Sequence, residues 1–157
     1  MVPVLEGVVQ ELQEVNPGRI IESHLDTMSG LEVDRMRIAQ LLSNLLANAL
    51  THGMPDKPVV VQATTRDAAF ELSVINHGPP IPEFAKAQLF KPLFKGDGRT
   101  KTGLGLGLYM ASEIAKAHGG TLGASSDGAL TVFTFRMPLG NEGRKLRDTA
   151  ADDGRTP

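Results

Sequence analysis

The chain contains no cysteine, so it can form neither a disulfide framework nor a thiolate metal site, and an intracellular setting is permitted. Histidine chemistry is thin as well. His24, His52, His77 and His118 are scattered, and no two stand at a metal-ligand spacing. There is no surplus of positive charge: 16 Lys and Arg stand against 18 Asp and Glu, a net charge of -2, which argues against a dedicated nucleic-acid binder. No apolar run approaches the roughly 20 residues that span a bilayer. The opening MVPVLEGVVQ lacks the basic region and apolar core of a secretory signal, and no internal repeat is visible. Small molecules or proteins remain as partners, and the expected location is the cytoplasm, whether or not a parent protein is membrane-anchored.

At 157 residues the chain has the length of one ordinary domain. Pro3 to Val15 carries Val4, Val8, Val9 and Leu12 at helical spacing and closes on Asn16-Pro17-Gly18. Arg19 to Leu25 alternates around Ile20, Ile21 and Leu25, which reads as a strand followed by a loop. From Asp34 to His52 the residues Ile38, Leu41, Leu42, Leu45, Leu46 and Ala49 trace one helix face, with Asp34 as cap and Gly53 as stop. Pro58 to Thr65 and Ala69 to Asn76 read as an antiparallel pair.

Gly78-Pro79-Pro80-Ile81-Pro82 is a rigid turn that neither a helix nor a central strand tolerates. Glu83 to Phe90 suits a short helix, and Lys91 to Thr102 has the composition of a mobile flap. Gly103 to Gly107 leads into a helix to about Ala117, closed by His118-Gly119-Gly120. Thr121 to Ser125 and Leu130 to Met137 flank an Asp127-Gly128 turn, and the tail from Gly140 to Pro157 is polar and patternless, as a disordered segment is. The expected fold is α+β, a two-layer sandwich of helices on one face of a mixed, mostly antiparallel sheet.

Two segments carry chemistry. On the long helix Arg37, Gln40, Asn44, Asn48 and Thr51 share a face rotated away from the leucines. Asparagine is a poor helix former, so two of them one turn apart carry a propensity cost, and an amide oxygen is a donor that Mg²⁺ accepts. A solvated polar face accounts for the same residues equally well. The run Gly103-Leu104-Gly105-Leu106-Gly107-Leu108 lets backbone approach a ligand at a helix start, where free N–H groups favour phosphate. It is neither a dinucleotide fingerprint nor a P-loop, and close packing of a helix onto a sheet would also use such glycines.

Taken together, four ordered segments resemble the boxes of the histidine kinase catalytic domain, within the Bergerat-fold ATPases. Gln40 to Ala49 looks like the N box, Asn76 to Pro82 the first glycine box, Leu89 to Phe94 the F box, and Gly103 to Leu108 the second glycine box. The resemblance covers about residue 4 to residue 139, so residues 1–139 are expected to form the ATP-binding domain and 140–157 a tail. The turn with Pro79-Pro80 and the Gly107-Leu108-Tyr109 ending are similar to kinases of phytochrome-like sensors.

This resemblance implies Mg·ATP as ligand, a flexible lid, and transfer of the γ-phosphoryl group to a histidine in two-component signalling. It implies that Asn48 ligates Mg²⁺ and Asn44 contacts phosphate or the metal's waters, with Arg37 and Gln40 in support. His52 would lie near adenine with Gly78 and Ile81 beside it. Lys91, Lys95, Arg99 and Lys101 are candidates to reach the γ-phosphate, Gly103, Leu104, Gly105, Leu106, Gly107 and Leu108 would frame the triphosphate, and Phe90 and Phe94 would act as hydrophobic hinges. Two positions depart from the pattern: Thr51 stands where many members place a lysine, and Asn76 where the family has the aspartate that accepts from the adenine amine. An amide can still accept from that amine while donating to the adjacent ring nitrogen. No histidine of the chain has the acceptor's His-Glu/Asp context, so the implied partners are a separate helical dimerisation domain of the same parent and a downstream response regulator, with the isolated chain a monomer unable to phosphorylate itself. The alternatives are a degenerate nucleotide- or partner-binding module and an ATP-driven clamp of the gyrase B type.

Overall fold

The computed structural model describes residues 1–27, 30–92 and 106–140. Helix α1 (Val2–Val15) has Pro3 in its first turn, where the missing N–H interrupts no helical bond. Leu5 and Val8 are buried and Val9 and Leu12 pack beside them, so the core-facing stripe includes Leu5 where the sequence spacing pointed to Val4. Gln13 ties the end of this helix to the next element: its Nε2 donates to the Arg19 carbonyl at 2.6 Å and its Oε1 accepts from the Ile21 N–H at 3.2 Å. Strand β1 (Ile21–Asp26) therefore starts one residue beyond Ile20. The pleat sends Ile21 and Leu25 toward the core and leaves Ile20 exposed.

Helix α2 (Arg35–His52) starts at Asp34, whose carboxylate accepts from the Arg37 N–H at 3.1 Å. The six apolar residues read from its spacing are all fully buried. At its other end the Arg19 guanidinium donates to the carbonyls of Leu50 (2.6 Å) and Met54 (3.2 Å), which places a cation at the negative end of the helix dipole. Gly53 caps the helix, but at an ordinary φ of -76°. Glycine is needed there because a Cβ would stand 2.5 Å from the Ala49 carbonyl oxygen and 3.2 Å from Asn76 Cβ.

Strands β2 (Val59–Arg66), β3 (Ala69–His77), β4 (Thr121–Asp127) and β5 (Leu130–Pro138) complete a five-stranded sheet in the order β1-β2-β3-β5-β4. Strands β1 and β2 are parallel, with α2 as the long crossover that a parallel pair requires, and the other pairs are antiparallel. Val59, Val61, Phe70, Leu72, Val74, Phe133 and Phe135 point to the helical side and are buried. The opposite face carries Gln62, Glu71, Ser73, Thr134 and Arg136, as alternation demands. The two-layer α+β sandwich is thus the observed architecture.

The expected helix over Glu83 to Phe90 is only one turn long as α3 (Glu83–Lys86). Beyond it Gln88 donates to Ala85, Leu89 to Lys86 and Lys91 to Gln88, bonds between residues three apart that tighten the chain into successive turns. Helix α4 (Gly107–Ala117) packs on α2 and ends in a Schellman motif, in which Gly120 donates to Ala115 and Gly119 to Lys116, with Gly119 at a φ of +67°. Residues 93–102 of the flap, Phe94 among them, residues 103–105 of the glycine run, and the tail, residues 141–157, lie outside the described residues.

Candidate active site

The C-terminal half of α2, the end of β3 and the start of α4 surround a cavity of about 370 Å³. Asn48 and His52 reach it from adjacent turns of α2, Asn76 from β3, and Leu108 from α4. Residues 78–82 and Leu89 line another part of it, and Thr131 and Phe133 come from β5. The turn presents no free N–H, because Gly78 donates to the Ala129 carbonyl at 2.8 Å, Ile81 donates to Ser126 Oγ at 3.0 Å, and the other three residues are prolines. This wall offers a ligand no N–H donor.

Polar recognition therefore falls on the sheet and on α2. Asn76 and Thr131 are register partners on the core-facing side of β3 and β5, each 4% exposed. Among the described residues no Asp, Glu, Lys or Arg side chain lines the cavity. In such surroundings a hydrogen bond to a ligand is stronger than in water, and an unmet polar group is costlier. Glycine brings the backbone close at both flanks of Asn76: a Cβ on Gly78 would stand 3.3 Å from the His52 carbonyl oxygen, and Gly53 is crowded as described above.

A second feature lies at the α4 end. Leu106 is the N-cap residue, and among the described residues no side chain caps the first N–H groups of α4, where the positive end of its dipole lies. Asn44 of α2 faces this start, since a Cβ on Gly107 would come 4.0 Å from Asn44 Cβ. The Asn44 Nδ2 is buried and has no hydrogen-bond partner among the described residues. A stray donor beside an uncapped helix start suits an anion, phosphate above all.

The residues singled out in the sequence divide accordingly. Asn48, His52, Asn76, Gly78, Ile81 and Leu108 meet in the cavity, and Asn44, Leu106 and Gly107 gather at the α4 start. Phe90 is half-buried outside the cavity lining, its ring edge-on to Phe133 with centroids 6.2 Å apart. Lys91 is exposed. Arg37 shares a helical face with Asn48 but lies about 16 Å from it along the axis, at about 1.5 Å per residue. It lines a separate cavity with Asp34, Tyr109, Glu113 and His118. Thr51 turns its hydroxyl onto the Ala47 carbonyl at 2.9 Å. Lys95, Arg99, Lys101, Gly103, Leu104 and Gly105 lie outside the described residues.

Sequence reasoning gave Leu89 only as the start of the F box and passed over Thr131 and Phe133. Thr131 had one signal, a polar residue at a core-facing position of an alternating strand, but only the β3–β5 register sets it opposite Asn76.

The family model for histidine kinase-, DNA gyrase B-, and HSP90-like ATPases matches residues 33–141. The chain belongs to this ATPase family. Among curated relatives, the bacteriophytochrome of Pseudomonas aeruginosa is 37% identical over 140 residues, which is 87% of this chain and 19% of that protein. The probable sensor histidine kinase TcrY of Mycobacterium tuberculosis is 38% identical over 109 residues, 68% of this chain and 23% of that protein. The chain thus spans about a fifth of the length of these relatives. Among solved structures, the nucleotide-free catalytic domain of histidine kinase ThkA superposes with a TM-score of 0.74 at 29% identity, covering 92% of this chain and 95% of that one. Within the family this chain corresponds to the ATPase catalytic module of sensor histidine kinases, the kinase branch over the clamp branch.

Proposed function

We propose that the chain is the cytoplasmic ATP-binding catalytic domain of a sensor histidine kinase, and that it transfers the γ-phosphoryl group of Mg·ATP to a histidine on a separate helical dimerisation domain of the same parent, from which a response regulator is served. The observation that carries this reading is the layout of the site. A cavity that no Asp, Glu, Lys or Arg among the described residues lines, with buried Asn76 and Thr131, takes the base, and the start of α4, which lacks a side-chain cap among the described residues, takes the phosphates beside the Asn44 Nδ2. Asn48 stands one helical turn from both Asn44 and His52.

The donor set fits Mg²⁺, a hard cation that accepts amide oxygens and keeps several waters when phosphate supplies the rest. Asn48 would ligate it, Asn44 would hold phosphate or the ion's waters, and the ion supplies neutralisation of phosphate charge. The protein's share is positioning: the cavity holds the base, the α4 N–H groups hold the triphosphate, and Lys91, Lys95, Arg99 and Lys101 of the flap are the candidate cations for the γ-phosphate. A histidine nitrogen then forms a bond to γ-phosphorus as the bond to the ADP oxygen breaks, a transfer governed by alignment and charge.

Nothing favours an acceptor among the chain's own histidines. His118 is engaged at both ring nitrogens, Nδ1 with the Ile114 carbonyl at 2.9 Å and Nε2 accepting from the Asp34 N–H at 3.3 Å. His52 faces the nucleotide cavity, and His24 and His77 stand on strands. Among the described residues no helix is long and apolar enough to cross a membrane. Isothermal titration with ATP, with and without Mg²⁺, tests the reading: magnesium-dependent saturation below millimolar nucleotide is expected, and no heat at millimolar nucleotide would overturn it in favour of a module that has lost nucleotide.

A further inference from the structure

Asn76 brings a neutral amide to the cavity, one donor and one acceptor in a single plane. The residue is 4% exposed, yet none of the hydrogen bonds among the described residues engages the amide. Neither end is committed by the protein. The two nearest glycines leave space around it: Nδ2 lies 3.5 Å from where a Cβ would sit on Gly53 and 3.6 Å from the same point on Gly78. No side chain at either position presses on the amide, which can turn about its terminal bond. The neighbouring turn has no free N–H to dictate the edge of a base, and among the described residues no Asp, Glu, Lys or Arg lines the cavity.

From these observations we infer that Asn76 makes this a purine site that accepts 6-oxo as well as 6-amino purine nucleoside triphosphates. Against adenine the Asn76 oxygen accepts from the 6-amino group while its NH₂ donates to N1. Against hypoxanthine or guanine the amide is turned over: NH₂ donates to the 6-oxo oxygen and the oxygen accepts from the N1 hydrogen. Both pairings use the same two atoms in the same place. A carboxylate in that seat has no donor for a 6-oxo group held in the same pose, so it separates the two bases by leaving like groups face to face. An unpaired buried polar group lowers affinity about 5- to 150-fold, and that is the discrimination the amide gives up.

The inference rests on the nucleotide reading above, and its test separates the two. Affinities of the whole chain for Mg·ATP, Mg·ITP and Mg·GTP are measured by titration, alongside Asn76→Asp. ITP carries the 6-oxo group and the N1 hydrogen without the bulk of guanine's 2-amino group, so it reports on Asn76 alone. The native chain should bind ITP within about tenfold of ATP, and Asn76→Asp should widen that ratio by about 5- to 150-fold. ATP binding with ITP weaker by more than about tenfold, less than the cost of many single unpaired groups, overturns the inference and leaves the nucleotide site standing. An unchanged ratio in a folded Asn76→Asp chain overturns it too. Should that variant lack a cooperative unfolding transition, the native ITP to ATP ratio decides by itself. Binding of ITP but not GTP supports the inference, with cavity shape rejecting the 2-amino group, and failure of ATP itself to bind overturns both readings.

Discussion

A buried amide hydrogen without an acceptor costs about 1–3 kcal/mol, and Asn44 holds one beside the start of α4. Asn44→Ala removes that group and a poor helix former together, so the nucleotide-free chain is expected to gain about 1 kcal/mol of stability. The rise in melting temperature produced by Mg·ATP should shrink in the same variant. Melting curves with and without nucleotide check both halves, and a lower melting point for the nucleotide-free variant would show that the amide is satisfied by water. Asn48 is half-buried and outside the core cluster, so Asn48→Ala should leave the fold intact. It should weaken magnesium-dependent ATP binding by about 2 kcal/mol or more, the scale of a charge-assisted contact; titration within error of the native chain would remove Asn48 as the metal ligand. Leu45, fully buried one position from Asn44, is the contrast. Leu45→Ala should cost about 2–5 kcal/mol of stability through lost burial and a cavity.

The elements show where local chemistry ruled and where it was overruled. In α2 the leucine spacing, the Asp34 cap and the buried face agree, because a long amphipathic helix repeats its signal over several turns. The short segment after Pro82 had no such repetition. It buries no residue within α3 and tightens into three-residue bonds after one turn. The β2–β3 hairpin turns through Asp67 and Ala68 at φ values of 52° and 56°, left-handed positions that strain a side chain with a Cβ. Ala68→Gly should therefore stabilise the chain by about 1 kcal/mol. The Ala68 carbonyl, which accepts from Leu139 at 2.7 Å, keeps its role in that variant. Chemical denaturation with an unchanged slope and a higher midpoint is the expected result, and a lower midpoint would mean that glycine's added freedom in the unfolded chain outweighs the relieved strain.

For the whole molecule, the proposed reaction requires a second domain to bring a histidine to the γ-phosphate. The isolated chain mixed with γ-labelled ATP should show no acid-labile label on its own histidines, and should label an added cognate dimerisation domain slowly, because a bimolecular encounter lacks the effective concentration a linker supplies. Stable label mapped to His24, His52, His77 or His118 would contradict the scheme. The sequence by itself determined the identity of the fold: periodic apolar spacing marks the long helix, alternation marks the strands, and four glycine, asparagine and phenylalanine segments follow one another in a fixed order. These are local signals, carried by residues close together in the chain. Pairing and distance belong to the tertiary structure. Only the β3–β5 register sets Thr131 beside Asn76, and only the packing of α4 on α2 brings Gly107 to Asn44. The axial rise of α2 carries Arg37 away from a site whose helical face it shares, into a cavity with His118. A helical wheel records angle and discards height, whereas a ligand responds to both.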